Sequence, residues 1–139
     1  MMEDTLKEKL FNLSYKAFHN AYAPYSNFRV GAAMITKDNK AFVGANIENA
    51  AYGLAMCAER VCVFSAYANG VEKDDIAGFA IITDSVEPAM PCGACRQVLS
   101  ELLPSDLTIY IFNLEGTCIE TNIATLLPYS FGKEDLKNV

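Results

Sequence analysis

The chain has 139 residues, 52% of them hydrophobic and 20% charged, a globular balance long enough to bury one core. Its net charge of −6 and its pI of about 4.7 repel phosphate backbones, and its 11 Lys and Arg are scattered, which disfavours a polynucleotide substrate or partner. No apolar run approaches the roughly 20 residues of a membrane span, and the acidic, amphipathic start, MMEDTLKEKL, is unlike a secretory leader. The five cysteines are odd in number. They suit a reducing cytoplasm better than a disulfide framework.

Apolar side chains at Leu6, Leu10, Leu13, Ala17 and Ala21 recur at spacings of three and four. That period predicts a helix over residues 3–22, with Lys7, Lys9 and Lys16 outward and an end at Ala23-Pro24. Residues 28–35 and 41–46 read as two strands joined by the turn Lys37-Asp38-Asn39-Lys40, a hairpin. The polar stretch Asn46 to Gly53 has no period and reads as a loop. Helix resumes near Cys57 and runs to Ala68, where Asn69-Gly70 stops it. Ile76 to Thr83 is apolar on both faces, as a covered central strand requires. A loop over 87–91 leads to a helix from Cys92 to Leu103, with Pro91 suited to its first turn. A buried strand over 107–112, a weak one over 117–120, a short helix to Leu126 and a loop-like tail from Leu127 to Val139 complete the order. Helices alternating with strands after a hairpin imply a mixed sheet covered on both faces. With no repeat or linker, one domain is expected over residues 1–139.

Two short stretches carry the chemistry: Cys57-Ala58-Glu59-Arg60 and Pro91-Cys92-Gly93-Ala94-Cys95-Arg96. Cys92 and Cys95 lie three apart at a helix start and can point both sulfurs at one ion. Cys57 begins another helix. Helix N-termini favour thiolate over thiol. Three thiolates leave the fourth position of a tetrahedral zinc open, the arrangement of a catalytic site. Glu59 is near enough to be the proton partner of water there, and the combination matches the zinc-deaminase signature, in which the Glu is not a ligand. Arg60 and Arg96 flank the motif and are expected to donate hydrogen bonds to the sulfurs, restoring acidity that three anionic ligands remove. A redox pair and a structural zinc module remain the other readings of Cys-x-x-Cys. Cys62, Cys118 and His19 are read as packing or surface residues.

With these residues in hand, the chain resembles the small homotetrameric cytidine deaminases, from Ala23-Pro24-Tyr25-Ser26-Asn27-Phe28-Arg29-Val30-Gly31 to Leu126-Leu127-Pro128 and Phe131. The resemblance implies a three-layer α/β/α sandwich around a five-stranded mixed sheet. It also implies one Zn²⁺ per chain and hydrolytic deamination of cytidine and 2′-deoxycytidine, zinc-bound hydroxide attacking C4 with Glu59 shuttling protons. It further assigns Asn46 and Glu48 to the ribose 3′-hydroxyl, Phe28 to the pyrimidine face and the Ala58 N–H to the ring carbonyl. Ala50, Tyr52 and Phe131 would serve a neighbouring subunit's site. Tyr129 departs from the pattern, being bulkier than the small residue often found there. Ordinary packing is the plainer alternative for Phe28 and Phe131, and a solvated turn for Asn46, Glu48 and Tyr52. A deaminase of a nucleoside antibiotic such as blasticidin S, and one acting on RNA or single-stranded DNA, share the zinc motif. The Asn46-Ile47-Glu48 loop disfavours the first and the net charge the second.

Overall fold

In a computed structural model, which describes residues 2–136, the elements run α1 (Met2–Phe18), β1 (Val30–Thr36), β2 (Ala41–Ala45), α2 (Ala58–Ala68), β3 (Ile76–Thr83), α3 (Gly93–Leu102), β4 (Ile109–Asn113), β5 (Cys118–Thr121) and α4 (Ile123–Leu126). Met1 and residues 137–139, the ends of the expected domain and tail, lie outside the described residues. The five strands form one sheet in the order β2-β1-β3-β4-β5. All neighbours are antiparallel except β3 and β4, the pair that α3 connects. The expected five-stranded mixed sheet is present.

Strict alternation along the strands divides the core. Ala32, Met34, Phe79, Ile81, Ile109 and Ile111 face α2, α3 and α4, where Cys62, Val63, Leu99 and Ile123 pack on them. Ala33, Ile35, Ala80, Ile82, Tyr110 and Phe112 face α1, which contributes Leu10 and Phe18. Both faces of β1, β3 and β4 are therefore apolar because helices cover both. Each fully buried Leu or Phe contributes about 1.5–3 kcal/mol to this three-layer packing.

Several boundaries differ from the expectation, each for a local reason. The first helix ends at Phe18, not at Ala23-Pro24. Its last turn tightens, with Asn20 N–H donating to Ala17 O at 2.9 Å and Ala21 N–H to Phe18 O at 3.2 Å. Tyr22 is then spent on the sheet edge: its N–H donates to Asn46 O and its carbonyl accepts from Glu48 N–H. Lys7 is half-buried rather than outward, 3.3 Å from Glu120. Strand β1 starts at Val30 instead of residue 28, since the Asn46 side chain takes the Phe28 carbonyl and the Val30 N–H. Pro91 precedes the N-cap Cys92 and so lies just outside the first turn of α3. Strands β4 and β5 begin one or two residues later than expected, and the tail carries a short 3-10 turn over Lys133–Leu136.

The stretch after β2 is more ordered than a simple loop. Ile47 and Met56 exchange two backbone hydrogen bonds of 2.9 and 3.0 Å, and Tyr52–Leu54 form a 3-10 turn between them. This stem closes the excursion and delivers Asn46 and Glu48 beside Cys57.

Candidate active site

The site lies where the start of β1 and the ends of β2 and β3 meet. Gly31 pairs with Ala45 on one side and Ile82 on the other, which places Val30, Asn46 and Thr83 together. Cys57 is the N-cap of α2 and Cys92 the N-cap of α3, so the two helix starts converge from one layer. No side chain caps either helix. The positive end of each helix therefore faces the cysteines, and Ala58, the first residue of α2, is fully buried behind them.

The sulfurs of Cys57, Cys92 and Cys95 lie within 4.8 Å of one another. Cys57 Sγ and Cys92 Sγ are 3.9 Å apart. Two thiolates on a tetrahedral zinc with bonds near 2.3 Å are separated by about 3.8 Å, so the three sulfurs fit that ion. A hydrogen bond with Cys95 is the main cause that draws the Cys57 pKa down to about 5, with help from Arg60 and Cys92 and against burial. The same hydrogen bond and burial push the Cys95 thiol up. A metal ion takes all three as thiolates, so its binding releases the protons the cluster holds.

The two flanking arginines behave differently. Arg60 donates from Nη2 to Cys57 Sγ at 3.4 Å, as expected, and its buried Nε has no hydrogen-bond partner among the described residues. Arg96 does not reach the sulfurs. Its Nε donates to Pro91 O at 2.8 Å and its Nη1 to Leu126 O at 2.9 Å. Its planar fork therefore ties the loop before Cys92 to α4, a backbone-holding role in place of the expected thiolate tuning.

Glu59 follows on the first turn of α2, only 4% exposed. Burial pushes its carboxyl above the usual range, and the charge of Cys57 adds to the rise. A buried carboxyl of raised pKa is suited to take up and give back a proton. It faces a cavity of about 250 Å³ that Cys57 and Cys92 also line. Phe28, Asn46, Glu48 and Ser26 also line it, while Val30, Ile81, Ala89 and Met90 supply apolar surface and Thr83 a buried hydroxyl. No lysine or arginine among the described residues lines it.

Ser26, Thr83, Ala89 and Met90 were not singled out in the sequence. Ser26, two residues from Phe28, and Thr83, at the end of a central strand, are too ordinary in type to signal a site. Of the expected substrate residues, Ala58 is fully buried between Cys57 and Glu59 and does not itself line the cavity, and three more stand elsewhere. Ala50, Tyr52 and Phe131 do not line this chain's cavity and are exposed, Tyr52 at 93% and Phe131 at 58%. Cys62 is buried and donates to Phe42 O at 3.4 Å, and His19 is exposed with its ring edge-on to Tyr15. Neither belongs to the site.

Residues 4–111, which span all three ligating cysteines and Glu59, match the family model described as the cytidine and deoxycytidylate deaminase zinc-binding region. The chain belongs to that family. It is 45% identical over 132 residues to the cytidine deaminase of Halalkalibacterium halodurans, covering 95% of this chain and 98% of the relative. To the cytidine deaminase of Sporosarcina psychrophila it is 46% identical over 129 residues, 93% of either chain. The crystal structure of cytidine deaminase from Burkholderia pseudomallei superposes with a TM-score of 0.86 at 45% identity, over 89% of this chain and 98% of that one. In this zinc-binding deaminase domain, Cys57, Cys92 and Cys95 are positioned for one metal ion. No helix among the described residues is long and apolar enough to cross a membrane.

Proposed function

We propose that this chain hydrolyses free cytidine and 2′-deoxycytidine to the corresponding uridines with release of ammonia. Six residues that line one cavity carry the reading: Cys57, Cys92 and Glu59, together with Phe28, Asn46 and Glu48. Cys57, Cys92 and Cys95 would hold the zinc ion, which when bound would supply the Lewis acidity that makes water a nucleophile at neutral pH. Glu59 takes a proton from that water and delivers it to ring N3 as oxygen bonds to C4. The same carboxyl then takes the proton of the hydroxyl now on C4 and gives it to N4, so that the C4=O bond forms as the C4–N4 bond breaks and ammonia leaves. The Ala58 N–H, at the positive end of α2, holds the ring carbonyl, and Phe28 packs on the pyrimidine.

At the sugar end the Glu48 carboxylate accepts a hydrogen bond from a hydroxyl. Two carboxylates and no cation in the lining disfavour a 5′-phosphate or a polynucleotide. The exposed Tyr52, Leu54, Tyr129 and Phe131 are large apolar side chains that a second copy would cover. The assembly is a homotetramer in which Phe131, Ala50 and Tyr52 serve a neighbour's site. Three thiolate ligands suit a reducing cytoplasm.

Ultraviolet-monitored conversion of cytidine, with zinc quantified in the same sample, tests this directly. Wild type should turn over with one zinc per chain, and Glu59→Gln should keep its zinc and lose about three orders of magnitude in kcat. Zinc without conversion would move the reading to another amine-bearing substrate, blasticidin S first. Sedimentation giving a monomer active at full rate would remove the shared site.

A further inference from the structure

The Glu48 carboxylate is committed before any substrate arrives. Its Oε1 accepts the N–H of Tyr25 at 3.0 Å and that of Ser26 at 3.1 Å. Its Oε2 accepts the Ser26 hydroxyl. A carboxylate has about four acceptor sites, so one is left, on Oε2. The Ser26 Oγ in turn accepts the Phe28 N–H at 3.0 Å, which fixes its proton toward Glu48. Ser26 and Glu48 both line the cavity. The residue between Ser26 and Phe28, Asn27, has φ of 58°, a left-handed conformation that Asn tolerates and that turns the chain tightly enough for this relay.

We infer that Ser26 is a positioning and specificity-determining residue: through its hydroxyl it orients Glu48 to read a single donor, the sugar 3′-hydroxyl. This rests on the nucleoside reading above and deepens it. Without the hydroxyl, Oε2 has two open acceptor directions and its torsion is held only through Oε1. Water or a rotated carboxylate then competes with the sugar, while water replaces the Ser26 hydroxyl at the exposed Phe28 N–H. The consequence is a loss of discrimination rather than of chemistry, since Ser26 touches none of the reacting atoms.

The test compares cytidine with 3′-deoxycytidine, which lacks the hydroxyl Glu48 would accept, in wild type, Ser26→Ala and Ser26→Thr. The Ala variant should lose about tenfold in kcat/KM on cytidine, mostly through KM, while changing little on 3′-deoxycytidine. The Thr variant, which keeps the hydroxyl, should retain the wild-type ratio between the two substrates. Calorimetric binding of uridine against 3′-deoxyuridine should show the same collapse of preference in the Ala variant without relying on turnover. Equal losses on both substrates would mean that Ser26 only stiffens the loop and would overturn the inference. An unchanged ratio, or a Thr variant as unselective as the Ala variant, would overturn it too. A wild type that deaminates neither compound would instead bring down the nucleoside reading, and this inference with it.

Discussion

Gly44 lies against Ala58, at the start of the helix that carries the site. A Cβ on Gly44 would meet the Ala58 carbonyl oxygen at 2.4 Å and the Cys62 nitrogen at 2.5 Å. Strand β2 and helix α2 touch backbone to backbone, and this contact sets how far Cys57 and Glu59 sit from the sheet. Gly31 does the same on the opposite face, where a Cβ would meet Ser14 O at 2.2 Å.

Both obstacles are backbone atoms, so an added methyl cannot be absorbed by a side-chain rotation. Gly44→Ala and Gly31→Ala should each lower stability by about 3 kcal/mol or more, read from urea midpoints. Only the first displaces a zinc ligand. Zinc affinity measured by chelator competition should fall in Gly44→Ala and hold in folded Gly31→Ala; equal affinities would show that β2 does not set the ligand position.

Arg60 and Arg96 should separate by phenotype. Removing the guanidinium that donates to Cys57 Sγ leaves a partly buried thiolate without its cation, so Arg60→Ala should weaken zinc binding about tenfold to a hundredfold. Arg96→Ala should instead lower the melting temperature, because the Pro91 and Leu126 carbonyls lose their donors, and leave zinc affinity close to wild type. Matching zinc affinities in the two variants would contradict this division.

The Ser26 hydroxyl, with the N–H groups of Ser26 and Tyr25, holds the Glu48 carboxyl below its ordinary value of 4.5. The sign follows from linkage: a folded-state pKa below the unfolded one gives a clasp that is fully formed above about 4.5 and is lost as the pH falls through the lower, folded value. Carbon-detected NMR of the Glu48 carboxyl should therefore place its midpoint under 4.5 in wild type and higher in Ser26→Ala. A wild-type midpoint at or above 4.5 would show that the clasp does not persist in solution.

Zinc removal should be visible in the thiols. After dipicolinate chelation, Cys92, which is exposed, and Cys57, with its low pKa, should react with Ellman's reagent at least about tenfold faster than in the zinc-loaded protein. Cys62 is fully buried and its thiol pushed up by desolvation, so it should wait for global unfolding. Mass spectrometry of the labelled peptides gives the order, and unchanged labelling of Cys57 and Cys92 would argue against both as ligands.

The linear chain by itself determined the sheet, the helices that cover both its faces and the residues that hold zinc. Those features are written in local spacing: apolar runs at Ile76–Thr83 and around Ile109–Phe112, Cys-x-x-Cys three apart at a helix start, and Glu59 two residues after Cys57. A period of two or of 3.6 fixes which way a side chain points without knowledge of any distant partner. Tertiary structure alone decided the rest. Phe18 ends α1 because the Tyr22 backbone bonds to the loop after β2, twenty-four residues away at Asn46. Arg96 turns from the sulfurs because two carbonyls from separate segments meet its fork. Ser26 acquires a role only when β1 and the end of β2 bring Glu48 over it. Hydrogen bonds between segments far apart in the chain leave no periodic trace in it, since their geometry exists only after the two cores have set the sheet.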